Sequence, residues 1–240
     1  MSVTQKNFDL LKAEVKASPF ANKNHTTSSH QRGYWGYRLL RPFLKFKYQR
    51  FCKKNPELPW LTPDSIKALD RLLEPNFIAL EYGSGRSTQF FSKRVKTLYS
   101  VEHDEAWYRQ VKDQIQEKGI SNTLLNLKKP DHPITPPKMT SEMEAFTSEK
   151  DFPNKDTSFT QYTAFIDSFE NDFFDFILID GRARRTCALK AKSKLKEGGL
   201  MVLDNSERKR YERVHSALKD WPSIVTTTGL TDTTIWLKPE

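Results

Sequence analysis

Runs of consecutive apolar residues alternate with runs in which apolar residues recur every third or fourth position, and this alternation fills the chain from residue 62 onward. The first pattern is that of a strand buried on both faces, the second that of a helix with one face on a core. Thr62-Pro63-Asp64 has the form of a helix N-cap with proline at the first helical position. Ile66, Leu69, Leu72 and Leu73 continue it as one stripe, which Pro75 ends. Phe77-Ile78-Ala79-Leu80 then runs into Glu81, followed by Gly83, Gly85, Ser87, Thr88 and an amphipathic run over 89–95. That order predicts a buried strand, a tight glycine turn and a helix start. A second strand, Thr97 to Glu102, also ends in an acid. His103-Asp104 leads into a helix with Trp107, Tyr108, Val111 and Ile115 on one face and Gly119 closing it, and Asn122 to Leu127 reads as a third strand.

The rhythm breaks over residues 128–158, which hold five prolines and no glycine. A stretch this long without periodicity predicts an insertion or lid loop. Helical spacing resumes at Phe159, Tyr162, Phe165, Ile166 and Phe169. Phe174 to Asp180 is a buried strand that again ends in an acid, with Gly181 next. A helix over Thr186 to Leu195 is expected to stop at Gly198-Gly199, and Leu200 to Leu203 forms a strand ending at Asp204-Asn205. A helix over Ser206 to Lys219 follows, with Tyr211, Val214 and Leu218 on one face. Ile224 to Thr228 and Thr233 to Leu237 are β-rich runs around Gly229.

Strands separated by helices pair parallel, while the last two have too short a link and must pair antiparallel. The expected fold class is α/β: a doubly wound, mostly parallel sheet of about seven strands with an antiparallel edge strand and helices on both faces. Ligands of such sheets sit beyond the C-terminal ends of the strands. Those ends carry Glu81, Glu102, Asp180 and Asp204-Asn205.

The N-terminal sixty residues lie outside this alternation. A short helix over Asn7–Val15 fits the start, and much of residues 1–33 reads as a loop or poorly ordered arm. Residues 34–54 interleave aromatics (Tyr34, Trp35, Tyr37, Phe43, Phe46, Tyr48, Phe51) with bases (Arg38, Arg41, Lys45, Lys47, Arg50, Lys53, Lys54). The chain therefore divides into a basic N-terminal arm and accessory helix over 1–60 and an α/β domain over 61–240.

Charge sharpens that division. The net charge is +9, and residues 1–60 supply all of it, with twelve Lys/Arg against Asp9, Glu14 and Glu57; the remainder balances at 27 bases and 27 acids. Three readings of residues 34–54 follow: an accessory helix with its aromatics packed and its bases in water, a contact with an anionic membrane surface or lipid-linked substrate, or a nucleic-acid contact, the least favoured of the three. With 240 residues, the chain is long enough for one α/β domain with a sizeable core. The mean hydropathy is −0.70, and no run approaches the ~20 apolar residues of a membrane span. The N-terminus shows no apolar signal-peptide region. Cys52 and Cys187 form no disulfide framework, so the expected compartment is the cytoplasm, with peripheral attachment at the membrane as the extension that the basic segment suggests.

The chemistry concentrates at the strand ends. The Gly83-Ser84-Gly85 turn lets a ligand approach the backbone closely, which by itself suggests a nucleotide-like ligand. Glu102 stands where a carboxylate accepts both hydroxyls of a ribose; alternatively it caps the helix after His103-Asp104. Dinucleotide sites want a third glycine for close helix packing, and this chain has Ser87 or Thr88 there.

Four segments together resemble a known family. Leu-Glu-Tyr-Gly-Ser-Gly-Arg-Ser-Thr (80–88), Val-Glu-His-Asp (101–104), Ile-Asp-Gly-Arg (179–182) and Gly-Gly-Leu-Met-Val-Leu-Asp-Asn (198–205) look like the successive motifs of class I S-adenosylmethionine-dependent methyltransferases. The resemblance runs from about Phe77 to Lys238. It implies that Glu81 and the Gly83-Ser84-Gly85 turn, with Ser87 and Thr88 at the helix start, hold the methionine part of S-adenosylmethionine. Glu102 takes the ribose, His103 lies near the adenine, and Asp180 lies near the reacting methyl. Asp180 with Asp204 and Asn205 further resembles the metal triad of catechol and caffeoyl-coenzyme A O-methyltransferases, which implies Mg²⁺ or another divalent cation on three hard oxygen ligands. Such an ion would orient and acidify a substrate hydroxyl. The alternative is that Asp204 and Asn205 only cap the following helix.

One departure matters. Those enzymes place a lysine base three positions beyond the first aspartate, where this chain has Ala183 among Arg182, Arg184 and Arg185. Arginine stays protonated, so Asp180 is the catalytic base candidate, and Arg182 and Arg185 are candidates for clamping a substrate carboxylate or phosphate, or else part of a solvated face. The leading expectation is a methyltransferase acting on a small or lipid-linked acceptor at oxygen. The alternatives are an aminopropyl transferase, a NAD-dependent oxidoreductase, and a non-catalytic nucleotide-binding module that docks to membrane or RNA through its basic arm.

Overall fold

The computed structural model describes residues 3–14, 34–131 and 156–239. Its strands are β1 (Ile78–Tyr82), β2 (Thr97–Glu102), β3 (Thr123–Leu127), β4 (Phe174–Ile179), β5 (Leu195–Asp204), β6 (Ser223–Thr227) and β7 (Asp232–Leu237). Its α-helices, numbered in chain order, are α1 (Val3–Glu14), α2 (Tyr34–Lys54), α3 (Pro63–Leu72), α4 (Arg86–Ser92), α5 (Glu105–Glu117), α6 (Thr160–Ala164), α7 (Arg184–Lys194) and α8 (Glu212–Ala217).

All seven strands join one sheet in the order β3-β2-β1-β4-β5-β7-β6. β1 to β5 pair in parallel, and β7 runs antiparallel to both β5 and β6. The antiparallel pairings therefore lie at one edge of the sheet, with β7 between β5 and the outermost strand β6. The order reverses at β1, between β2 and β4, which is where doubly wound sheets open a ligand crevice.

The apolar run over residues 176–179 of β4 shows why the sequence folds this way. Phe176 and Leu178 face one core layer with Phe91 and Val202, while Ile177 and Ile179 face the other with Tyr162 and Ala188. Side chains alternate across a strand, so a strand covered on both faces must be apolar at every position. Phe8 and Leu11 of α1 belong to the first layer, beside Leu69 and Leu72 of α3. The Thr4 hydroxyl donates to Glu74 at 2.7 Å. The start of the N-terminal segment therefore packs on the α/β domain.

Two boundaries differ from the sequence pattern. Gly198-Gly199 does not end a helix: α7 gives way to β5 at Leu195, and the glycines lie inside the strand, where the register with β4 shifts. A Cβ on Gly199 would come within 2.8 Å of the Lys196 carbonyl, so the glycine serves a bulge. The helix expected over 206–219 is cut to a 3₁₀ turn, Lys209–Tyr211, and the short α8. Asp204 and Asn205 therefore do not cap a helix at Ser206. The insertion expected over 128–158 falls largely on residues 132–155, outside the described residues, as does Val15 at the end of the first expected helix.

Candidate active site

A cavity of about 1380 Å³ opens at the C-terminal ends of the strands. Gly83, Ser84, Gly85 and Ser87 form one wall, Glu102 and His103 the next, and Asp180, Arg182, Asp204 and Asn205 the floor beyond. The strand ends bring these residues together although up to 122 positions separate them in sequence. Drug-sized ligands occupy roughly 300–1,000 Å³, so the cavity has room for a nucleoside-sized ligand and a second molecule.

The glycine turn is built by close packing. Gly83 has φ +97°, and a Cβ there would lie 2.8 Å from Cα of Gly181. A Cβ on Gly181 would meet the Tyr162 hydroxyl at 2.0 Å. The turns after β1 and β4 thus touch through bare backbone, which leaves peptide groups rather than side chains facing the cavity.

Glu81 and Thr88 support this turn from beneath and do not reach the cavity wall. The Gly85 amide donates to the Thr88 hydroxyl at 2.9 Å, and that hydroxyl donates in turn to Glu81 Oε1. Ser100 donates to the same oxygen at 2.7 Å, while Oε2 has no hydrogen-bond partner among the described residues. Glu81 is 0% exposed. Burial pushes its carboxyl up to about 7, against the hydrogen bonds from Ser100 and Thr88.

Glu102 joins the glycine turn to β2. Its Oε2 accepts from the amide and the hydroxyl of Ser84, both at 3.0 Å. Its Oε1 accepts from the amides of His103 and Asp104, both at 2.8 Å, and Nδ1 of His103 also lies 2.8 Å away. Burial pushes the carboxyl up, but these contacts win and hold it below the ordinary carboxylate range. It is a fixed anion with its acceptor positions engaged, and the Ser84 hydroxyl is the partner a ligand hydroxyl can replace. The Asp104 carboxylate, rather than Glu102, caps α5 by accepting from the Trp107 amide.

The floor departs most from expectation. The three residues of the candidate metal triad all point an oxygen at Arg184. Its Nη2 lies 2.8 Å from Asp180 Oδ1, and its Nη1 lies 3.6 Å from Asp204 Oδ2. Nη1 also donates to the Asp204 carbonyl at 2.6 Å and to Asn205 Oδ1 at 3.3 Å, and Nε donates to the Gly181 carbonyl at 2.9 Å. Asp204 and Asn205 are engaged on their far sides too: Thr233 donates to Asp204 Oδ1 at 2.9 Å, and Asn205 donates to Thr231 at 2.6 Å. A divalent ion at these oxygens would have to displace a guanidinium that cannot deprotonate and that already engages all three residues. The residues therefore do not fit a divalent cation, and Arg184 supplies the positive charge instead. Among the described residues, no cluster of three His, Cys, Asp or Glu side chains is arranged to hold a metal.

Burial pushes both Asp180 and Asp204 up, with Arg184 pulling the other way. Asp180 is the carboxyl that opens to the cavity, at 23% exposure against 5% for Asp204. Two non-glycine residues beside Arg184, Ala183 (φ +47°) and Asn205 (φ +55°), hold left-handed backbone. Such strain persists only where the surroundings impose it, and it clusters at working sites.

Of the two substrate arginines expected, Arg182 lines the cavity and its Nε donates to Nε2 of His103 at 3.3 Å, whereas Arg185 is not in the wall. Sequence reasoning missed Arg184, which opens α7 and reaches back past the left-handed Ala183 to Asp180. It also missed Trp107, whose indole donates to the Ser84 carbonyl at 2.8 Å, and Trp60, over which the Arg86 guanidinium lies at 5.1 Å. Tyr48, Cys52 and Lys53 of α2 complete the cavity, so the accessory helix is part of the site.

No protein-family model matches the chain, and a search of curated proteins finds no match. Solved structures do share its fold. A methyltransferase-like protein from Silicibacter pomeroyi is 22% identical with a TM-score of 0.52, over 74% of this chain and 87% of that one. A proposed caffeoyl-CoA O-methyltransferase from Staphylococcus aureus is 13% identical with a TM-score of 0.50, over 98% of each chain.

Proposed function

We propose that the chain is an S-adenosylmethionine-dependent methyltransferase acting at oxygen on a small or lipid-linked acceptor, without a divalent metal. The observation that carries this reading is the tie between Glu102 and Ser84: a buried anion at the end of β2 grips the glycine turn beside a cavity with bare backbone in its wall. Strand, glycine turn, helix and acid is the arrangement that receives a nucleoside. The wall fits S-adenosylmethionine: Glu102 would take the ribose hydroxyls in exchange for Ser84, the backbone of Gly83 to Gly85 would line the methionine part, and His103 would border the adenine. Glu81 and Thr88 act through the turn they support. The structural neighbours support the fold that this reading requires.

When bound, the cofactor supplies a methyl group on a sulfonium sulfur. The residues of the floor align the acceptor and receive its proton. Asp180 is the group that takes that proton, because it is the more open of the two floor carboxyls. Arg184 holds Asp180 in place and offsets the negative charge of the pair. The test is thermal melting with S-adenosylmethionine, its demethylated product and NAD. The first two should raise Tm and NAD should not, since only a ligand of the native state stabilises it. A shift with NAD alone would replace this reading with an oxidoreductase.

A further inference from the structure

Helix α2 has two stripes, and the domain covers only one of them. Leu44, Tyr48 and Phe51, at helical spacing, face the body. Leu44 lies against Gly229, the Tyr48 hydroxyl donates to the Leu61 carbonyl at 3.3 Å, and Phe51 packs on the core. The second stripe runs through Leu39, Phe43 and Phe46, which are 83%, 64% and 60% exposed, with Leu40 beside it at 48%. At 3.6 residues per turn that stripe continues through Arg50 and Lys53. Lys53 lines the cavity, as do Tyr48 and Cys52 on the neighbouring positions. One helix edge therefore passes from bare hydrocarbon to cationic groups and ends at the candidate active site.

We infer that this edge of α2 docks on the surface of an anionic bilayer, with Leu39, Phe43 and Phe46 among the acyl chains and the bases at the headgroups. Exposed apolar groups of this size on one helix face need a cover. The helix carries seven Lys/Arg and no acid, so a second copy of itself would repel it, while anionic lipid would attract it. Nucleic acid would satisfy the bases and leave the leucine and phenylalanines in water. No described helix is long and apolar enough to cross a membrane, so attachment is to the surface. Docking by this edge sets the cavity mouth at the headgroup layer. Resting on the methyltransferase reading, it brings a lipid-linked acceptor to the cavity from the bilayer surface.

The test is co-sedimentation of the full chain, without cofactor, with phosphatidylcholine vesicles that contain or lack phosphatidylglycerol. Binding should require the anionic lipid and weaken as salt rises. The variant Leu39→Gln/Phe43→Gln/Phe46→Gln alters only exposed side chains and should bind roughly tenfold or more weakly. Arg50→Gln/Lys53→Gln should lose binding to anionic vesicles with its Tm unchanged. Failure of the wild-type chain to pellet with anionic vesicles would overturn the inference, as would equal pelleting by the triple variant. So would light scattering that shows a dimer which the triple variant dissolves. The melting shift with S-adenosylmethionine is read separately, so loss of vesicle binding with that shift intact removes the docking surface alone.

Discussion

Arg184 holds Asp180 at 2.8 Å and reaches Asp204 and Asn205 with its other terminal nitrogen. Where related-looking motifs imply a metal ion, this chain places the guanidinium of one of its own side chains. The site should therefore bind no divalent metal. In a Mn²⁺ titration followed by electron paramagnetic resonance, the free-ion signal should not fall, and chelator should leave Tm unchanged. A stoichiometric Mn²⁺ site that Asp204→Ala abolishes would contradict this.

Removing the arginine should cost far more than a surface ion pair. Arg184→Met leaves two carboxyls at the floor without their partner, a loss of about 3–5 kcal/mol. Part of that loss should disappear on acidification, because protonated carboxyls need no counter-charge. Denaturant midpoints of variant and wild type across pH would read it. A pH-independent difference would mean that packing, not charge, is what Arg184 contributes.

Glu81 gives stability a pH dependence of known sign. Its folded value is about 7 against an ordinary 4.5, so the native state holds the proton more tightly than the unfolded state. The contribution is full below about 4.5 and is lost as pH rises through about 7, amounting at most to roughly 3 kcal/mol for a fully buried group. Glu81→Gln does not titrate and should flatten the fall in stability over that window. An unchanged slope would assign the dependence to Glu207, Asp180 and Asp204, whose carboxyls are also pushed up by burial.

The contact between Gly181 and Tyr162 fixes the turn beside the cavity. Gly181→Ala should destabilise by about 1–3 kcal/mol or more through overpacking. Adding Tyr162→Phe should recover part of the loss, because the hydroxyl is the nearest atom to the new methyl. No recovery would place the clash on the Gly83 backbone, 2.9 Å away.

Much of the fold and part of the site are legible in the sequence. The apolar run of β4, the acids at the ends of β1, β2, β4 and β5, and the glycine turn all follow from local pattern, and the structure gathers the turn, Glu102, Asp180 and Asp204 at one crevice. Other features were not legible because they are set by contacts distant in sequence. Gly198-Gly199 resembles a helix stop, yet it serves a strand bulge against β4. Glu81 and Thr88 resemble ligand residues, yet they form a buried relay under the turn. The aspartates and asparagine of the floor spell a metal triad in sequence, and only their shared orientation toward Arg184 shows what fills it. Burial of Phe8 against α3 carried no sequence signal beyond an amphipathic start.

The central claim is that the crevice receives S-adenosylmethionine through Glu102. Isothermal calorimetry tests it most directly, with S-adenosylmethionine titrated into the wild-type chain and into Glu102→Gln. The account predicts saturable one-to-one binding by the wild type and binding weaker by roughly tenfold or more in the variant, the size expected when a hydrogen bond to a charged group is lost. No heat of binding at about millimolar cofactor, or equal affinity in the two proteins, would contradict it.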